Sequence, residues 1–102
     1  FKENCPDIRN TRVIDLVNEF ESLNCNVDVY DPWVNKEKAK QEYNIQLIDS
    51  PENGKYDAIL LAVAHNEFKL LSSSKIKAFG KQSHVLYDIK YLLKAEEVDG
   101  RL

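Results

Sequence analysis

An open α/β sheet, mostly parallel and with helices on both faces, is the fold class this sequence predicts. Two observations lead there. Apolar residues alternate along the chain between helical three- and four-residue spacing and short strand-sized runs. The longest apolar run, "AILLAVA", is continuous rather than alternating, as in a parallel strand covered on both faces.

The elements follow in order. From Asn10, the residues Val13, Leu16, Val17, Phe20 and Leu23 recur at helical steps and predict one buried stripe. Asn10 or Thr11 suits the N-cap, and Asn24 suits a left-handed C-terminal cap. "NVDVYDP" reads as a short strand stopped by Pro32, which has no N–H for a ladder. A charged helix over 36–43 leads into a strand at "IQLI", and "DSPENGK" carries the Pro and Gly signals of a turn. "YDAILLAVA" is the central strand. "HNEFKLLSSSKIKAFG" predicts one or two short helices, with serines to cap the second and Gly80 to end it. "HVLYDIKYLL" supplies a last strand and turn, and "KAEEVDGRL" reads as a polar, partly loose tail.

One element is missing from this rhythm. The first helix should return from a parallel strand, and only loop-like residues precede it. The expectation is that Phe1 ends or just follows a first strand truncated at the N-terminus, so that residues 1–102 are a single domain cut from a larger protein.

Bulk composition narrows the function. The chain has 102 residues, 30% of them charged, and a net charge of −3, which argues against a nucleic-acid footprint. No apolar run approaches the ~20 residues of a membrane span, and nothing resembles a signal peptide. Cys5 and Cys25 show no CxxC spacing and fit two free thiols in a reducing cytoplasm. Three glycines cannot build a GxGxxG or GxxxxGK[ST] phosphate loop.

In open α/β sheets ligands bind beyond the carboxyl ends of the strands, where strand order reverses. With the missing strand counted first, an order of 3-2-1-4-5 brings three groups to that edge. Lys2 leaves strand one, Ala64, His65 and Asn66 leave strand four, and Asp88 to Lys90 leave strand five. Two lysines beside a helix N-terminus suit an anionic ligand.

Plainer readings stand beside each residue. Lys2 and Lys90 can be solvated surface charges. Asp7 and Arg9 can brace their loop as a local ion pair. His65 can be a turn residue or a helix cap. Asp31–Pro32–Trp33 can be a strand-ending turn with a packed indole or a ligand clamp. Cys5 as a nucleophile with His65 lacks an orienting acid. Cys5, Cys25, His65 and His84 lack paired metal-ligand spacing. The residues by themselves reach an α/β domain with an anion site.

A resemblance takes the reading further. "FKENCPDIRNTRVIDLVNEFESLNCNVDVYDPWV" resembles the C-terminal domain of the UDP-glucose/GDP-mannose dehydrogenase family. That family carries Phe-Lys, a loop with Asp-x-Arg-x-Ser/Thr, a helix, and a strand ending in Tyr-Asp-Pro. Here these are Phe1-Lys2, Asp7-Ile8-Arg9-Asn10-Thr11 and Tyr30-Asp31-Pro32. "YDAILLAVAHNEF" and "VLYDIKYLL" look like the family's later strand segments, so the likeness covers essentially the whole chain. The wording is most similar to the branch that oxidises UDP-N-acetylhexosamines for capsule and O-antigen polysaccharides, Vi-type proteins included.

The resemblance implies an NAD-dependent UDP-sugar 6-dehydrogenase that turns a C6 alcohol into a carboxylate. On that likeness this is its UDP-binding C-terminal domain, with NAD held mainly by an absent N-terminal domain. A homo-oligomer would form through an absent central domain, in the cytoplasm, with no nucleic-acid or membrane partner. Lys2 and Lys90 would meet the UDP end of the substrate, and Arg9 would lie near the cofactor diphosphate. Asp7 and Asp88 would organise their loops. Many members carry arginine where Lys90 stands, and lysine offers a point charge rather than a planar fork. The family's catalytic cysteine matches neither Cys5 nor Cys25, so no catalytic residue is expected here and the isolated domain should be inactive. Two other classes compete with this reading: a receiver-like regulatory module using Asp31 or Asp88 as a phosphorylatable aspartate, and a free-standing structural domain.

Overall fold

The computed structural model describes residues 11–63, 65–90 and 92–101. Two compact units divide the chain, residues 1–51 and 52–102.

In the first unit, helix α1 (Thr11–Ser22) buries Ile14 and Val17. The expected stripe is shifted, since Leu16 and Leu23 are exposed while Val13 and Phe20 are half-buried. Its end is a Schellman motif. Asn24 adopts φ 65°, the Cys25 N–H reaches Phe20 O at 3.1 Å, and the Asn24 N–H reaches Glu21 O at 3.0 Å. Helix α2 (Lys36–Tyr43) has the bounds the charged stretch predicts. Asn35 Oδ1 accepts the Lys38 N–H at 3.1 Å, and Asn44 closes the helix in the left-handed region at φ 55°.

The two strands expected in this unit shrink to one parallel bridge, Val29 with Leu47, supported by the Ile48 N–H on Val29 O at 2.9 Å. Asn24 and the turn at Asp31 bound the first of these segments, and Asn44 and Asp49 bound the second. Val34, Ala39, Ile45 and Leu47 complete the buried apolar set.

In the second unit, strand β1 (Tyr56–Leu61) pairs in parallel with β2 (Gly80–Asp88), which pairs in parallel with β3 (Gly100–Arg101). Gly54, at φ 69°, turns the chain into β1, and its N–H donates to Ala78 O at 2.8 Å. Helices α3 (Asn66–Lys69) and α4 (Ser73–Lys77) cross from β1 to β2, so the two-helix alternative holds. Ser72 caps α4, its Oγ accepting the Lys75 N–H at 3.2 Å. Ile76 of α4 packs with Leu61 and Leu86 as the core of this unit.

Three expectations need correction here. The central strand stops at Leu61 rather than running to residue 64. Gly80 opens β2 instead of ending a helix, because α4 closes at Ala78 and Phe79 already bonds the Lys55 and Tyr56 N–H groups. The tail is a 3₁₀ turn (Ala95–Glu97) followed by β3, held by side chains that composition alone does not reveal. The class itself is the expected one, α/β with parallel strands.

A candidate anion site at the strand ends

Because β1 and β2 are parallel, their carboxyl ends lie on one edge of the second unit. Leu61 and Asp88 sit opposite each other there, and the Ile89 N–H continues the ladder to Leu61 O at 3.0 Å. Asp88 is fully buried. A buried carboxylate must find donors, and it finds them in its own loop. The Lys90 N–H donates to Asp88 Oδ1 at 3.1 Å and the Leu93 N–H to Oδ2 at 2.8 Å. One side chain thus fixes the backbone on both sides of residue 91. Lys90 lies exposed on that loop.

His65 follows β1 and is fully buried. Its carbonyl accepts the Phe68 and Lys69 N–H groups at 3.0 and 3.2 Å, so it occupies the cap position of α3 through its backbone. The imidazole lies against Phe68, ring centroids 5.4 Å apart at a 56° tilt. A buried ring packed on an aromatic fits the turn-and-cap reading rather than an exposed catalyst.

Asp31, in the first unit, repeats the device of Asp88. It is buried, and its Oδ1 accepts the Trp33 N–H at 2.9 Å, so Asp31–Pro32–Trp33 is a strand-ending turn. The indole is 38% exposed and therefore only partly packed. A receiver-like site needs a cluster of acids around a metal and a reachable aspartate. Among the described residues no group of three His, Cys, Asp or Glu side chains could hold a metal ion, and both aspartates are buried on backbone donors.

Lys2, Cys5, Asp7 and Arg9 lie outside the described residues. Cys25 is an exposed free thiol. A hollow of about 280 Å³ in the first unit is lined by Val17, Glu21, Val27 and Ile45. Its lining includes Val27 and Ile45, early in the two strand segments, whereas ligands of open α/β sheets bind beyond the carboxyl ends of strands. No described helix is long and apolar enough to cross a membrane.

Reading the sequence alone missed Asp99 and Gly100, which hold the tail on the sheet edge, and Glu97, which ties it to its own turn and to Ser73. The signals were present but short: Asp99-Gly100 is a turn dipeptide, and Lys94 and Glu97 stand at capping-box spacing.

Comparison with known proteins agrees with the resemblance drawn from the motifs. The model of the UDP-glucose/GDP-mannose dehydrogenase family, UDP binding domain, matches residues 1–95. Over all 102 residues the chain is 53% identical to a UDP-N-acetyl-D-glucosamine 6-dehydrogenase of Salmonella typhi. It is 54% identical to a protein of the same name from Pseudomonas aeruginosa. Protein CapL of Staphylococcus aureus is 35% identical over 99 residues, 97% of this chain and 23% of its own length. The chain spans 24% of the length of each of the first two relatives. No solved structure matches. The chain belongs to the UDP-glucose/GDP-mannose dehydrogenase family, and the part of that family it matches is the UDP-binding domain.

Proposed function

We propose that this chain is the UDP-binding wall of an NAD-dependent UDP-sugar 6-dehydrogenase, which oxidises the sugar C6 alcohol to a carboxylate for surface polysaccharide synthesis. The observation that carries the reading is identity above one half, across every residue, to two UDP-N-acetyl-D-glucosamine 6-dehydrogenases. In this reading Lys90 meets the UDP, on a loop that Asp88 organises, and Lys2 joins it. Arg9 faces the cofactor diphosphate, and Asp7 braces the loop that carries it. The enzyme works in the cytoplasm as a homo-oligomer assembled through parts outside this chain.

The described glycines do not build a dinucleotide-binding loop. Gly54 lies in a turn, while Gly80 and Gly100 open strands, so none of them lets a helix N-terminus approach a dinucleotide phosphate. In this reading the cofactor is held mainly elsewhere in the enzyme, and the side chains described here bind rather than oxidise. The part this domain plays is to bind and orient, which raises the rate by holding reactants in place rather than by bond chemistry.

Titrating the chain with UDP and following backbone amide shifts tests the reading. Residues 2–11 and 88–91 should move together and saturate. If neither segment shifts at millimolar UDP, the chain by itself is not a competent UDP half-site.

A further inference from the structure

The chain beyond the Lys90 loop folds back onto the sheet through three links. Glu97 Oε1 accepts the Lys94 N–H at 3.0 Å, and the Ser73 side chain at the start of α4 bonds the same carboxylate. Asp99 then bonds one buried residue in both directions. The Leu86 N–H donates to Asp99 Oδ2 at 2.7 Å, and the Asp99 N–H donates to Leu86 O at 2.8 Å. The Asp99 carboxylate fills the place that a carbonyl of a neighbouring strand would take, immediately before β3 begins. The third link is Gly100, paired with Tyr87. The Tyr87 ring lies over it so closely that an added Cβ would come 2.4 Å from Tyr87 Cε2. Between these links Leu92, Leu93 and Val98 pack on the Leu61–Ile76–Leu86 core.

The loop after Asp88 is thus held at its start by the Asp88 carboxylate and at its far end by the returning tail. We propose that Asp99 is a positioning residue for UDP recognition: with Glu97 and Gly100 it clasps the tail against β2 and so holds the Lys90 loop ready for the diphosphate. The proposal rests on the reading of Lys90 as a UDP contact. The physical need is clear. An exposed lysine strengthens binding only to the extent that its backbone is already in place, because ordering a loop at the moment of binding costs free energy that the contact must offset.

The experiment compares Asp99→Ala, Asp99→Asn, Gly100→Val and Lys90→Ala in the full chain, with hydrogen exchange read without ligand and UDP affinity read by amide shifts. Asp99→Ala should speed exchange of the Lys90 and Leu93 amides and weaken UDP binding about tenfold, since a hydrogen-bonded charged acceptor on a buried N–H is lost. Asp99→Asn keeps an oxygen for the Leu86 N–H and should restore both readouts. Gly100→Val, which unseats β3 by crowding Tyr87, should act like Asp99→Ala. Unchanged Lys90 and Leu93 exchange in both Asp99→Ala and Gly100→Val overturns the clasp. Faster exchange with unchanged UDP affinity, while Lys90→Ala still weakens binding, overturns its role in recognition. If Lys90→Ala leaves UDP affinity intact, the UDP contact itself fails and the purpose assigned to the clasp falls with it.

Discussion

Two buried aspartates do the same local work in separate units. Asp31 and Asp88 each end a strand segment, and each accepts an N–H two residues on. Pairing a buried carboxylate with its own loop satisfies the desolvated charge and sets the loop in one move. Glu97 is a half-buried acid whose carboxylate is held by hydrogen bonds in the tail. The Ser73 side chain, then the Lys94 N–H, and then the charges of Lys94 and Lys77 hold its pKa below the ordinary 4.5. A depressed carboxylate stabilises the fold above its unfolded pKa, and that contribution is lost as pH falls through the folded value. The tail should therefore loosen only below about pH 4.5, seen as faster exchange of the Val98 and Asp99 amides on acidification. Glu97→Gln should flatten that response. A carboxylate titrating at or above 4.5 in the intact chain would remove this explanation of how the tail is held.

Among the elements, legibility followed how local the cause is. Helix α2 was readable from its charged run, and the structure adds that Asn35 and Asn44, which act within one or two turns, set its ends. The Asn24 and Ser72 caps were readable because they act as locally. The stripe of α1 was displaced toward Ile14 because apolar spacing gives a face but not which neighbour covers it. The tail was misread because its order comes from Asp99 meeting Leu86, thirteen residues earlier in the chain. In the candidate site, Asp88 and Lys90 could be marked from sequence as residues at the carboxyl end of a strand. The clasp behind them could not. Caps should matter most in α2, which buries only Ala39 and so gains little from packing. Asn44→Ala places a Cβ-bearing residue with no αL preference at φ 55° and should cost about 1 kcal/mol, whereas Asn44→Gly should be neutral or slightly stabilising. Chemical denaturation of the two variants checks this. Equal stability would mean that the left-handed cap contributes nothing.

At the scale of this chain taken as a whole, its own field works against the proposed ligand. The net charge of −3 repels a diphosphate, so binding must come from cations close to it rather than from long-range attraction. Lys90 is exposed and offers one compact charge with rotatable donors. A contact of that kind is screened by salt, since the Debye length falls from about 10 Å at 0.1 M to about 3 Å at 1 M. UDP affinity should drop several-fold over that range, and Lys90→Ala should show a shallower dependence because one charge contact is gone. Lys90→Arg should bind at least as well as the parent chain, since a guanidinium can meet two phosphate oxygens at once and is less strongly hydrated. Calorimetry of the three chains across salt concentrations separates these outcomes. If Lys90→Arg binds as poorly as Lys90→Ala, the site reads the shape of the ammonium and its loop rather than charge alone, and the geometry held by Asp88 and Asp99 becomes the stricter requirement.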